Sequence, residues 1–80
     1  MAPLPRIALV TGVLDAVRLM VARSAVAKTG YPSSRVHVFP KDGGWIMHIT
    51  TSGIATAVVN KLIKRFEVGG VSLDTWPTKV

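Results

Sequence analysis

The sequence predicts an α+β fold in which two helices pack on one face of a small antiparallel sheet. The main observation is a pair of segments, 34–40 and 44–51, that alternate in polarity and are rich in β-branched and aromatic residues. Asp42-Gly43 stands between them, and Asp-Gly in this position strongly favours a hairpin turn. The second observation is the 3.6-residue spacing of apolar residues at 6–28 and 52–67, which is typical of amphipathic helices. The predicted order of elements is therefore α-β-β-α.

The first predicted helix, over residues 6–28, has an apolar arc that is expected to face the core. The arc comprises Leu9, Val10, Val13, Leu14, Val17, Met20 and Val21. Leu19 and Val26 fall on the polar side of the same helix. Thr29-Gly30 is expected to end it, because glycine readily adopts the left-handed conformation that closes many helices. A short irregular lead over residues 1–5 precedes it.

Residues 6–11 also allow a second interpretation as a plain strand. The order of elements then becomes βαββαβ, which is the ferredoxin-like order. The sequence leaves open whether residues 6–12 are strand or helix.

The second predicted helix, over residues 52–67, carries a broader apolar stripe. Its members are Ile54, Ala55, Val58, Val59, Leu62, Ile63 and Phe66. Thr51 or Ser52 is expected to cap its first turn. Residues 71–76 alternate weakly and predict a C-terminal edge strand that ends at Pro77.

The composition limits the classes of protein to which the chain belongs. Eighty residues are enough for one domain and too few for two, so residues 1–80 are expected to form a single domain. There is no cysteine, which excludes disulfides and thiolate metal sites. A hydrophobic fraction of 49% is high for so short a chain. It predicts a well-filled core or a homodimer that buries the excess apolar surface.

Catalytic motifs are missing from the sequence. The four acidic residues are scattered, and no Ser/His/Asp arrangement or phosphate-binding glycine loop is present. We therefore expect no enzymatic activity, no cofactor and no small-molecule substrate. No apolar segment approaches the length that spans a bilayer, so we expect no membrane association and a cytoplasmic location.

Two histidines are the only acid–base candidates. Alternation places His37 and His48 on one face of the hairpin together with Phe39, and this face is expected to be exposed. A metal site needs a third ligand, and Asp42 in the turn is badly placed to supply one. We therefore expect no bound metal.

The net charge of +6 predicts an anionic partner, either nucleic acid or an acidic protein. The strongest candidates to bind it are Lys61, Lys64 and Arg65, which fall close together on the second helix. Arg35 and Lys41 would extend this basic patch if the hairpin lay alongside.

The stretch from Lys41 to His48 resembles the aromatic strand motif of RNA-recognition domains. A basic residue, a glycine, an aromatic residue (Trp45) and a branched aliphatic residue fall in matching places. Asp42 stands where the motif has glycine, and Gly43 stands where it has a stacking aromatic. The resemblance covers eight residues and does not extend to the family as a whole.

The sequence thus predicts a small basic binding module without enzymatic activity, associated with nucleic acid through a cationic helix face. The alternative is a protein–protein adaptor or inhibitor, of the kind carried by phages and mobile elements, that occludes a host protein.

Overall fold

A computed structural model of the chain describes residues 8–76, with side chains as far as Asp74. The elements follow the order βαββαβ. They are β1 (Ala8–Thr11), α1 (Ala16–Thr29), β2 (Val36–Lys41), β3 (Gly44–Thr50), α2 (Thr56–Val68) and β4 (Leu73–Trp76), with a 3₁₀ turn at Ser33–Arg35. The four strands form one antiparallel sheet in the order β2-β3-β1-β4. The α+β class is confirmed, and the order of elements is that of the ferredoxin-like alternative.

The prediction of one continuous helix over residues 6–28 is wrong, because residues 8–11 form β1 and the helix begins at Ala16. Leu9 is fully buried, and its backbone pairs with Ile49 on one side and Thr75 on the other. The backbone N–H and C=O groups of a buried strand need hydrogen-bond partners on both sides, and β3 and β4 supply them for β1. Residues 6 and 7, the lead over residues 1–5 and Pro77 lie outside the described part of the chain.

A bulge in β1 separates the strand from α1. Val10 pairs with His48, and the next pair is Leu14 with Trp45, so residues 11–13 at the end of β1 lie opposite only two residues of β3, 46 and 47. Thr11 compensates for the interrupted ladder. Its hydroxyl oxygen accepts a hydrogen bond from the Met47 N–H at 2.9 Å, and Thr11 is only 2% exposed. The buried Met47 N–H therefore has a hydrogen-bond acceptor despite the bulge.

Helix α1 buries a face that the apolar arc did not predict. Ala22, Ala25 and Val26 are buried, whereas Val17 and Met20 are 65% and 67% exposed. Apolar side chains occur on every side of this helix, so spacing alone does not select the buried side. Small residues face the core because α1 packs closely against α2 and the sheet.

The end of α1 is fixed by a left-handed glycine. Gly30 has φ +73°, and the N–H groups of Gly30 and Tyr31 donate to the carbonyls of Ala27 and Val26. This is a Schellman arrangement, which satisfies the last carbonyls of the helix. Tyr31 then enters the core, where it is 4% exposed and its hydroxyl donates to the Thr50 carbonyl at 2.7 Å. The cap thereby ties α1 to β3.

The predicted hairpin between β2 and β3 is confirmed. Lys41 pairs with Gly44, and the two intervening residues, Asp42 and Gly43, have φ of +49° and +81°. Positive φ at both central positions is the type I′ geometry that favours Asp-Gly.

Helix α2 begins later than predicted. It starts at Thr56 after Ala55, which offers no side-chain cap, so neither Thr51 nor Ser52 occupies the capping position. Its buried residues are Val59, Leu62 and Phe66, all members of the predicted stripe. Leu62 and Phe66 pack into the same core as Leu9, Met47 and Ile49, so both helices lie on one face of the sheet.

Replacing Thr11 by valine should destabilise the bulge, because the buried Met47 amide then has no acceptor. The free energy of unfolding should fall by about 1–3 kcal/mol. In hydrogen exchange, the Met47 amide should lose protection in Thr11→Val and keep it in Thr11→Ser, which retains the hydroxyl. Unchanged Met47 protection in the valine variant would contradict the proposed role of Thr11.

Tyr31, the one tyrosine of the chain, should ionise above pH 10. Burial raises the pKa of Tyr31 above the ordinary value of 10.0, and the nearby positive charge of Arg35 lowers it in part. The folded state therefore holds the phenol proton more tightly than the unfolded state. This contribution to stability is complete below pH 10 and is lost as the pH rises through the folded pKa. Phenolate absorbance should show a midpoint above 10.0, and Tyr31→Phe should reduce the alkaline loss of stability. A midpoint at or below 10.0 would refute this.

Candidate functional site

Positive charge is concentrated on the helix layer. Among the described residues, the helices and the α1 cap carry six cations and two acids, namely Arg18, Arg23, Lys28, Lys61, Lys64 and Arg65 with Asp15 and Glu67. Charges on the sheet side balance, because Arg35 and Lys41 are matched by Asp42 and Asp74. The excess positive charge of the described chain is thus on the helix side.

Lys61, Lys64 and Arg65 form one exposed basic cluster on α2. Their i, i+3 and i+4 spacing makes them neighbours on the exposed surface of α2, whereas Leu62 and Phe66 of the same helix are buried. Within residues 8–76, the one salt bridge joins Arg18 to Asp15 at 3.2 Å. The cations of α2 therefore have no anionic partner in that part of the chain, and they remain free to contact an external anion.

An apolar groove runs beside this cluster, between α1 and α2. Gly69 allows the close approach, since a Cβ there would lie 2.7 Å from Val21 Cγ1. The groove has a volume of about 430 Å³ and is lined by Met20, Val21, Ser24, Ala25, Lys28, Arg65, Val68 and Gly69. Met20 and Val68 are 67% and 76% exposed. Lys28 and Arg65 thus border a groove whose other walls are mainly apolar.

Lys28 was missed by sequence reasoning. The apolar arc of the first predicted helix directs Met20 toward the core, so it does not predict an exposed surface that contains Met20 and Lys28. The signal was present, because Met20, Ser24 and Lys28 recur at i, i+4 and i+8. To recognise this surface from the sequence, one must know which side of α1 faces the core.

Arg35 and Lys41 do not extend the cluster as a pair. Arg35 precedes β2 and Lys41 ends it, so six residues of extended strand place them about 20 Å apart. The Arg35 guanidinium donates to the Ser52 carbonyl at 2.9 Å, and Lys41 lies at the hairpin turn. Strand β2 is also at the sheet edge opposite β4.

No helix or strand within residues 8–76 covers the sheet face away from the helices, and the structure brings His37 and His48 together on this open face. These two residues are direct cross-strand partners, and Phe39 and Ile46 form the next such pair on the same face. Phe39 is 49% exposed. Val10 continues the histidine row as the partner of both His48 and Asp74.

Trp45 lies on the opposite face from this row. Strand alternation places it with the buried Met47 and Ile49, on the helix side of β3. In the RNA-recognition motif that the stretch resembles, the stacking aromatics stand on the open face. The resemblance therefore does not carry a base-stacking role over to Trp45.

A second groove lies between the end of α1 and β2 and has a volume of about 360 Å³. Its lining is mainly apolar and includes Val26, Tyr31, Val36, Val38 and Met47, with Arg23 at its border. The Tyr31 hydroxyl is already bonded to the Thr50 carbonyl. The groove thus offers an apolar surface without an acid–base pair.

Metal-ligating side chains do not cluster in the described part of the chain: no three His, Asp or Glu side chains there are close enough to hold one ion. No helix in that part combines the length and hydropathy needed to cross a membrane.

Comparison of the chain with protein-family models, with curated proteins and with solved structures finds no match.

Proposed function

We propose that the protein is a non-enzymatic binding module that contacts nucleic acid through its helix layer. The supporting observation is the segregation of charge within residues 8–76, where the helix layer holds the excess positive charge and the charges on the sheet side balance. Phosphate backbones attract exposed, unpaired cations without regard to base sequence. Lys61, Lys64 and Arg65 are such cations, and Lys28 and Arg65 continue the positive surface across the groove to α1.

The absence of an exposed aromatic cluster on this surface argues for backbone contact over base recognition. Among the described residues, the exposed apolar side chains in the groove beside the cluster are Met20 and Val68. These side chains do not stack on bases. We therefore expect weak sequence preference and a strong dependence on salt, with dissociation constants of about 10⁻⁴–10⁻⁶ M at physiological salt.

A second candidate function, binding an acidic protein, is favoured by the groove itself. Phosphate contacts need no apolar floor, whereas an amphipathic acidic helix would place apolar side chains on Met20 and Val68 and carboxylates near Lys28 and Arg65. In this case the module would act as an adaptor or as an inhibitor that occludes its partner.

Charge reversal at three positions tests the nucleic-acid proposal. The variant K61E/K64E/R65E should lose binding to a mixed-sequence DNA duplex and to single-stranded RNA alike. The salt dependence, measured as the slope of log K against log salt by fluorescence anisotropy, should flatten by about 2–3, since three phosphate contacts are removed. The matched control is R35E/K41E, which reverses two sheet-side cations and is compared with K61E/K64E, a variant with the same change in net charge. The control should retain most of the affinity.

Equal losses in K61E/K64E and its control would show that net charge alone drives binding and would refute the helix-layer site. If the unmodified protein shows no salt-dependent binding to either probe, the nucleic-acid proposal fails. The acidic-protein candidate is then tested by M20S/V68S. This variant should weaken capture of an acidic protein from a nuclease-treated lysate.

A further inference from the structure

We propose that the open sheet face is the interface of a homodimer, and that His37 and His48 of the two copies bind one zinc-class divalent cation at its two-fold axis.

The charge distribution selects a second copy as the occupant of this face. Two copies repel one another through their helix layers, because the excess positive charge of residues 8–76 lies there. On the sheet side, Arg35 and Lys41 are matched by Asp42 and Asp74. The sheet face is therefore the side on which two copies approach with the least electrostatic opposition.

The apolar content of the face supports the same occupant. Phe39 is 49% exposed, its cross-strand partner Ile46 is half-buried, and Val10 is half-buried beside His48. Helices cover the other side of the sheet and leave this side open. Face-to-face packing of two such sheets, about 10 Å apart, is a common way to bury both.

The size of the face indicates that apolar contact alone gives a weak dimer. Four strands spaced at about 4.8 Å, with about five residues of about 3.3 Å in each, cover roughly 320 Å². A standard interface buries about 800 Å² per partner. A further source of affinity is therefore expected if the dimer is to persist at low concentration.

The histidine pair supplies that source. His37 is exposed, His48 is half-buried, and as direct cross-strand partners their Cβ atoms are about 5 Å apart. Zinc binds four ligands tetrahedrally, and imidazole nitrogen is among its preferred ligands. One chain provides two such ligands on this face, and its described residues form no group of three. If the two-fold axis runs beside His37 and His48, the second copy contributes its own two imidazoles. The four histidines then complete the tetrahedral ligand set of one zinc ion.

Sedimentation equilibrium of a chain without a histidine tag tests the proposal. In EDTA, the apparent mass should rise with concentration toward twice the 8.6 kDa of the chain. One zinc ion per two chains should lower the dimer dissociation constant at least about tenfold, because the metal binds the dimer alone. His37→Ala and His48→Ala should each abolish the zinc effect and leave the weak dimer in EDTA.

Two matched variants locate the interface. Phe39→Lys on the sheet face should give a monomer with or without zinc, whereas Met20→Lys, at an exposed apolar position in the helix groove, should leave the mass unchanged. Circular dichroism checks that both remain folded. A monomer at every concentration in zinc would overturn the proposal. It would also be overturned by a zinc effect that survives both histidine substitutions, or by one zinc ion bound per monomeric chain.

Discussion

The pairing of β1 with two neighbours is the interaction on which the rest of the structure depends. Strand β1 joins β3 through the Leu9–Ile49 pair and β4 through the Leu9–Thr75 pair. Without it, β4 has no strand beside it and the β2–β3 hairpin is isolated, and an isolated hairpin is marginally stable at best. Leu9 also contributes a fully buried side chain to the core under the helices. The four residues of β1 therefore hold the two halves of the chain in one sheet.

This arrangement divides the molecule into two unlike sides. Both helices lie on one face of the sheet, so their cations collect on that side. The described charges on the other side balance, and the histidine row lies there. The architecture supports two separate proposals, one of contact with anions at the helix layer and one of self-association at the sheet. A dimer formed through the sheet would present two cationic helix layers on opposite sides, an arrangement suited to bridging two nucleic-acid segments.

The residue types in the turn were sufficient to predict the hairpin. Those of the N-terminal half were not sufficient to predict that residues 8–11 form a strand. Asp42 and Gly43 specify a turn through their own backbone preferences, so the strands on either side and their faces could be predicted. Residues 8–11 are too few to show the two-residue period of a strand. They are followed by a helix with apolar residues on every side, so the two segments resemble one apolar helix. The choice of strand is made by pairing with β3 and β4, which are distant in sequence. The same limit applies to the binding surface: the cluster on α2 was visible from spacing, whereas the contribution of Lys28 depends on how α1 is rotated against Gly69.

The most direct test of this account is the backbone conformation of residues 8–14 in solution. Nuclear Overhauser contacts between backbone protons of Leu9 and those of both Ile49 and Thr75 are predicted, together with slow exchange of the β1 amides that bond to β3 and β4. Sequential contacts of the i to i+3 kind running from residue 8 through residue 14, without any contact to Ile49, would show a continuous helix there. That result would contradict the central position of β1 and the division of the molecule into a charged side and an open side.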